Sequence, residues 1–173
     1  PSHFQALTLW LEIMTQCAGE QIHELIEKAG EPLIEEVAAI FGSKKGERSA
    51  ISVAEAHEQA MELKAYRMEY ERAWNETAQQ SRCGRAMDGI LLPNTGVVCW
   101  RRGGVTYQGY TPPANVLHFP SISMPLAKAE PVPQTHRQNF LSSIDEDVYH
   151  AYDPDMSRGM PVGIQLMGRR FQE

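Results

Sequence analysis

The stretch "GMPVGIQLMGRR", residues 159 to 170, decides the fold of this 173-residue chain. Its middle is a continuous apolar run of about six residues, which predicts a β-strand. A continuous rather than alternating apolar run is typical of a strand that is buried on both faces, as in a sheet covered by helices. The sequence therefore raises the question of which strands lie beside this one.

Three other short apolar runs are predicted to be strands. They are GILLPN at residues 89–94, GVVCW at 96–100 and SISMPL at 121–126. Pro93 and Pro125 mark the ends of two of them, because proline lacks the N–H that a strand ladder needs. Four short strands are too few for a sheet that is buried on both faces, so the missing neighbours are expected outside this sequence.

The first half of the chain is predicted to be helical. Ser2 followed by Gln5 resembles a capping box for a helix that runs through about Gln16. A second apolar stripe is stopped by Gly30. A third helix is predicted over residues 32–41, since its initial proline suits a first helical turn.

The clearest helix begins at Ser52. Its hydroxyl can accept a hydrogen bond from the Glu55 amide, while the Glu55 carboxylate can reach back to the Ser52 amide. The apolar residues that follow keep three-to-four spacing, which predicts a helix of about 28 residues with one apolar face. These residues are Ala56, Ala60, Leu63, Tyr66, Tyr70, Trp74 and Thr77. A helix of this length is expected to pack against something larger than itself.

Composition excludes several classes of protein. The net charge of -6 argues against a nucleic-acid partner, because neutralising phosphates needs clustered lysines and arginines. The three cysteines lie far apart without CxxC spacing, which predicts neither a disulfide framework nor a zinc site. The sequence shows neither a long apolar run nor a signal peptide, so we expect a cytoplasmic protein without a membrane span.

No metal or cofactor site is predicted. The six histidines never form a spaced pair on one helical face. The acidic run DEDVYHAYDPD at residues 145–155 lacks the spacing and the glycine of an EF-hand loop, and GSKKG at 42–46 lacks the P-loop pattern. We interpret both segments as solvent-exposed loops.

Three motifs follow the long helix in a fixed order, and together they resemble the C-terminal part of the amidase signature family. The motifs are MDGILLPNTG, YTPPANVLHFPSISMP and GMPVGIQLMGRRFQE, and the acetamidase-like branch is the most similar. The resemblance spans essentially residues 52–173. It is carried by Asp88, Pro93, Tyr110, Thr111, Asn115, Pro120, Ser121, Pro125, Gly159, Pro161, Gly163, Gln165 and Glu173.

The resemblance implies an α/β fold in which a large mixed β-sheet is sandwiched by α-helices. Residues 1–173 would be the C-terminal segment of a single amidase domain. Residues 1–86 would be mainly helical, and 87–173 would hold short strands with loops. The catalytic core would then lie upstream, together with the strands that neighbour the one predicted within residues 159–170.

Enzymes of this family hydrolyse amides with a nucleophilic serine on a Gly/Ser-rich stretch, a bridging serine and a lysine base, and that stretch is absent from this sequence. Ser142 and Ser143 are its only adjacent serines. They lack a neighbouring glycine and precede acidic residues, which disfavours a developing oxyanion. Lys64 precedes them but lies within the long helix. No catalytic residue is therefore predicted in this chain.

The resemblance further implies a small-molecule amide as substrate. The helix that begins at YTPPAN would border the channel for the acyl part of the substrate, which makes Thr111, Ala114 and His118 candidates for substrate contact. Packing in the core or at the surface is the alternative for each of them.

Two hypotheses about function follow. In the first, the chain is the C-terminal segment of an amidase that converts a carboxamide to a carboxylate and ammonia or an amine through an upstream Ser-Ser-Lys triad. In the second, it is a catalytically silent binding protein on the same scaffold. The sequence leaves a homo-oligomer open in both cases.

Overall fold

The computed structural model describes residues 1–101, 103–104, 107–130 and 132–172. Within these residues the chain is a mixed α/β structure. Its helices are α1 (His3–Thr15), α2 (Glu20–Ala29), α3 (Glu35–Phe41), α4 (Val53–Glu76), α5 (Pro112–Leu117), α6 (Ser143–Ala151) and α7 (Pro154–Ser157). Its strands are β1 (Ile90–Pro93), β2 (Ser121–Lys128) and β3 (Pro161–Met167). Glu173, the last residue of the family pattern, lies outside the described residues.

The chain divides into two compact units, Pro1–Ala73 and Trp74–Glu173. The first unit contains α1, α2, α3 and most of α4. Its largest buried side chain is Tyr66, which is 1% exposed and donates a hydrogen bond to the Ser2 carbonyl at 3.2 Å. The second unit contains all three strands of the described part of the chain, so the sheet belongs to that unit alone.

The helix ends of the first unit are confirmed where a local hydrogen bond sets them. The Ser2 hydroxyl accepts from the Gln5 amide at 3.4 Å. The Ser52 hydroxyl accepts from the Glu55 amide at 3.2 Å, and the Glu55 carboxylate accepts from the Ser52 amide at 2.7 Å. These bonds lower the pKa of Glu55. Helix α2 ends at Gly30, whose φ of 65° suits glycine.

Two predicted helix boundaries are wrong. Helix α3 begins at Glu35 rather than Pro32, because Ile34 is extended and serves as its N-cap. Helix α4 has 24 residues rather than about 28. The Thr77 hydroxyl donates to the Trp74 carbonyl at 2.7 Å, and such a local bond competes with the α-helical pattern. The chain accordingly continues as one 3₁₀ turn at Thr77–Gln79.

The strand that ends the sequence is the central strand of the sheet. The order is β1-β3-β2, and both pairs are antiparallel. The strands that pair with β3 are therefore present in this sequence, and the expectation that they lie upstream is wrong. Two strands that are distant in sequence supply them, which local patterns cannot show.

The two faces of the sheet differ in burial. On one face Gln165 is 3% exposed and Met167 is fully buried. The opposite face carries a line of paired residues, Leu91, Leu166 and Ile122, which we call the apolar row. Their exposures are 63%, 38% and 59%. The prediction of burial on both faces supposes that upstream sequence completes the sheet, so for the apolar row it stays a prediction.

The segment GVVCW, predicted as a strand, is irregular. The Thr95 hydroxyl donates to the Val97 carbonyl, and this local bond occupies an acceptor that a strand ladder would use. Val97 is nonetheless only 8% exposed. The apolar character of this segment reflects burial in a loop rather than pairing in the sheet.

Trp74 anchors the core of the second unit. Its ring is 1% exposed and meets Phe119 edge to face at 5.6 Å between centroids. Its indole N–H donates to the Met87 carbonyl at 2.8 Å, which satisfies the only polar group of the side chain. No helix among the described residues has the length and apolar character needed to cross a bilayer.

Candidate functional site

The second unit contains a groove of about 770 Å³. This volume lies within the range of roughly 300–1,000 Å³ that is usual for small-molecule sites. The groove is lined by residues 93–98, 100, 134, 137, 145, 148, 149, 152 and 161–164. The sheet, the loop after β1, and the segment that includes α6 therefore each contribute to its surface.

The sheet contributes an apolar part of the groove. Pro93 pairs with Ile164 across β1 and β3, so their side chains share one face. Val162 lies on that same face because side chains alternate along a strand. Pro93 also ends β1, and the chain then turns into the loop that carries Val97 and Trp100 into the lining.

Asn94 is the first polar residue after β1, and Gly163 makes room for it. A Cβ atom at position 163 would lie 2.4 Å from the Asn94 side-chain nitrogen. The Asn94 side-chain oxygen accepts from the Ser123 hydroxyl at 3.4 Å. Gly163 thus permits a close approach that fixes a polar amide at the edge of the sheet.

Gln165 joins three segments beneath the groove. Its side-chain nitrogen donates to the Pro93 carbonyl at 3.0 Å and to the Tyr110 carbonyl at 2.9 Å. Its side-chain oxygen accepts from the Ser121 hydroxyl at 3.1 Å. The side chain is almost fully buried, so it fixes the end of β1, the turn that leads into α5 and the start of β2 relative to one another.

We expect Gln165→Leu to lower the free energy of unfolding of the full-length protein by about 2–4 kcal/mol, because two part-buried carbonyls and a hydroxyl lose their partner. Urea unfolding followed by circular dichroism measures this. The control is Gln80→Leu, a change of the same chemistry at an exposed position. Equal effects of the two substitutions would contradict the joining role of Gln165.

Helix α6 forms one wall of the groove, and it contains residues 145–151 of the acidic run, so the interpretation of that run as a loop is wrong. Ser142 caps it by accepting from the Asp145 amide at 3.2 Å. Asp145 also accepts two hydrogen bonds from Arg137, at 3.1 and 2.7 Å, and one from the Leu141 amide at 2.9 Å. The Leu141 amide, followed by the Arg137 guanidinium, lowers the pKa of Asp145. The carboxylate is therefore kept ionised.

The described lining of the groove contains one cation and one anion, Arg137 and Asp145, and these pair with each other. The rest of the lining is apolar or neutral, with Val148, Tyr149 and Tyr152 on the α6 side. Such a groove suits a neutral ligand with an apolar body. Within the described residues, no group of three or more His, Cys, Asp and Glu side chains could hold a metal ion.

The three predicted substrate contacts lie on or beside α5, outside the lining of this groove. Thr111 is the exposed N-cap, and its hydroxyl donates to the Gln108 carbonyl at 3.2 Å. Ala114 is buried within the helix, and His118 ends it with a φ of 55°. Substrate contact by these residues stays a prediction. The groove residues were not predicted, although the Asn-Thr-Gly sequence after Pro93 signals a turn at the end of a strand.

The serines and the lysine that loosely resemble the family's catalytic residues lie at a helix start or on an exposed helix surface. Ser142 is the N-cap of α6, and Ser143 is the exposed first residue of that helix. Lys64 is exposed on α4, in the first unit.

Curated proteins similar to this chain are amidases. An amidase of Gibberella zeae is 29% identical over 157 residues, which are 86% of this chain and 28% of that protein. The acetamidase of Aspergillus oryzae is 27% identical over 173 residues, which are 99% of this chain and 31% of that protein. Amidase 1 of Gibberella moniliformis is 30% identical over 158 residues, which are 90% of this chain and 29% of that protein. No family model matches the chain.

A solved structure of a fatty acid amide hydrolase shares the fold. It superposes with a TM-score of 0.79 at 21% identity, over 99% of this chain and 30% of that chain. The chain is therefore similar to the C-terminal portion of amidases and shares the fold of an amidase signature enzyme. It spans less than a third of the length of these relatives. This confirms the resemblance that the ordered motifs indicate.

Proposed function

We propose that this chain is the C-terminal segment of an amidase that hydrolyses a carboxamide to a carboxylate and ammonia or an amine. The observation that carries the proposal is the mismatch in coverage. Similar amidases align with 86–99% of this chain but with only 28–31% of their own length. A Gly/Ser-rich catalytic stretch is absent from residues 1–173, so the proposal assigns the serine nucleophile, the bridging serine and the lysine to sequence that precedes Pro1.

In this proposal the groove receives an apolar part of the amide substrate. Its volume, its apolar sheet face and the mutual neutralisation of Arg137 and Asp145 support this role. A neutral amide keeps its apolar group out of water there without leaving a charge unpaired. Thr111, Ala114 and His118 remain proposed contacts at the border of the acyl channel.

The proposal also includes a cytoplasmic location. All three cysteines are free thiols. Free thiols of this kind fit a reducing compartment.

Val148 offers a test of the groove. It lies over Gly96, since a Cβ atom at position 96 would be 3.0 Å from a Val148 methyl group. In the full-length enzyme, Val148→Trp should raise the KM for benzamide by roughly tenfold and change the KM for acetamide little, because the larger ring fills space that only the bulkier substrate needs. Steady-state kinetics with both amides measures this.

The matched control is Val53→Trp, at a position that is 89% exposed on α4. It should leave both KM values unchanged. An equal rise for the two substrates in Val148→Trp would contradict the placement of the substrate in this groove.

The open reading frame that contains this sequence tests the proposal as a whole. We expect it to extend upstream of Pro1 and to encode a Gly/Ser-rich stretch with two serines and a lysine. A stop codon followed directly by an initiator before Pro1 would instead favour the silent binding protein on the same scaffold.

A further inference from the structure

Residues 132–141 form an irregular segment before α6, which we call the strap. Most of its residues are exposed; Val132 is 67% and Leu141 is 92% exposed. Among the described residues, the strap makes no backbone-to-backbone hydrogen bond. Two of its side chains, Gln134 and Arg137, nevertheless line the groove. The strap is therefore part of the groove wall, although neither a helix nor a strand holds it there.

Side chains attach the strap to α6 and the residue after it. The Tyr152 hydroxyl lies 3.4 Å from both the amide and the carbonyl of Val132. The Gln134 side chain donates to the Tyr149 carbonyl, and the Tyr149 hydroxyl donates to the Thr135 carbonyl. The Phe140 ring packs against Tyr149 at 5.3 Å between centroids. Each of these contacts is single and neutral, so each is individually weak.

Arg137 makes the strongest attachment. Its two terminal nitrogens donate to the two carboxylate oxygens of Asp145, which is the bidentate arrangement that gives strong and directional ion pairs. Its remaining nitrogen donates to the Asn139 carbonyl at 3.0 Å, and its guanidinium lies 5.0 Å from the Phe140 ring centroid. Arg137 thus joins the strap to α6 and also fixes the shape of the strap itself.

We propose that the strap is a movable cover of the groove and that the ion pair between Arg137 and Asp145 is the latch that holds it against α6. Releasing the pair leaves only single side-chain contacts, and no sheet ladder or helix must be broken for the strap to lift. Arg137 is a positioning residue in this proposal, because it acts through the strap. The proposal concerns entry to the groove and does not depend on amide hydrolysis.

A buried thiol inside the groove reports on this motion. Val97 lines the groove but is only 8% exposed. Val97→Cys is introduced into the full-length protein with every native cysteine replaced by serine, and the rate of its reaction with a neutral maleimide is measured. Arg137→Gln and Asp145→Asn should each raise that rate roughly threefold to tenfold, as expected for the loss of a partly exposed bidentate pair.

Three further measurements separate a latch from a general structural effect. The double substitution should react no faster than either single one, because both remove the same pair. The thiol in Arg137→Lys should react at a rate between those of the wild type and Arg137→Gln, because lysine keeps the charge but cannot donate the two parallel hydrogen bonds of the guanidinium. Raising the salt concentration should speed the reaction when the latch is intact and leave it unchanged in Arg137→Gln.

Two controls complete the test. Arg158→Gln removes another surface ion pair, with Asp155 at 3.5 Å, and should leave the Val97→Cys rate unchanged. Met167→Cys places the thiol at a fully buried position outside the groove, and its rate should not respond to Arg137→Gln. An unchanged Val97→Cys rate in Arg137→Gln would overturn the proposal. Equal acceleration of both thiols would overturn it too, because it indicates global loosening rather than opening of the strap.

Discussion

Residues 1–173 alone are expected to hydrolyse neither acetamide nor benzamide, whereas the proposed function predicts that the full-length enzyme hydrolyses both. The difference should be on the order of 10⁶ in kcat, since this is the loss seen when a catalytic serine is removed from a hydrolase. The physical reason is that the sequence of the segment lacks the Gly/Ser-rich stretch that would supply the nucleophile and the oxyanion donors. Release of ammonia, measured with equal concentrations of the two proteins, tests this.

The adjacent serines provide the control. Ser142→Ala with Ser143→Ala should leave the activity of the full-length enzyme essentially intact. It should lower the free energy of unfolding by only about 1 kcal/mol, because Ser142 is a helix cap. The opposite result would be that the segment alone hydrolyses the amides and loses this activity with the two substitutions. That result would contradict the cap as the role of Ser142 and would contradict the proposed upstream triad.

Local sequence patterns predict the features of this fold that neighbouring residues determine. The capping box of Ser52 and Glu55 and the glycine stop at Gly30 need only a few residues to form, and both are confirmed. The start of α3 and the end of α4 are displaced because extended backbone at Ile34 and the hydroxyl of Thr77 compete with the helix. Such competition involves differences on the order of 1 kcal/mol, which a propensity pattern does not resolve.

Long-range pairing is the part that the sequence does not determine locally. The apolar runs of β1, β2 and β3 are recognisable, but their order is not. The groove depends on that order, because the pairing of Pro93 with Ile164 brings the loop after β1 beside β3. The family motif nevertheless marks two residues whose role the structure explains: Gly163 makes room for Asn94, and Gln165 joins three segments.

A charge placed in the apolar row is expected to have the second large effect, a loss of folding of the full-length protein. Ile122 is 59% exposed on the sheet in this structure. If an upstream part of the enzyme covers the row, as the proposed function implies, Ile122→Asp should prevent the full-length protein from folding. A carboxylate buried without a partner costs several kcal/mol against a total stability of about 5–15 kcal/mol. Urea unfolding and the yield of soluble full-length protein measure the effect.

The segment alone should respond differently to the same substitution. Its exposed row should bind a hydrophobic dye, and Ile122→Asp should reduce the dye fluorescence with little change in helix content, since the carboxylate stays in water. Met167→Asp is the matched control, because Met167 is fully buried on the other face and the substitution should disrupt the segment and the full-length protein alike. If Ile122→Asp left the full-length protein as stable as the wild type, the row would be open to solvent in the whole enzyme. The strands of this segment would then be complete without an upstream partner on that face.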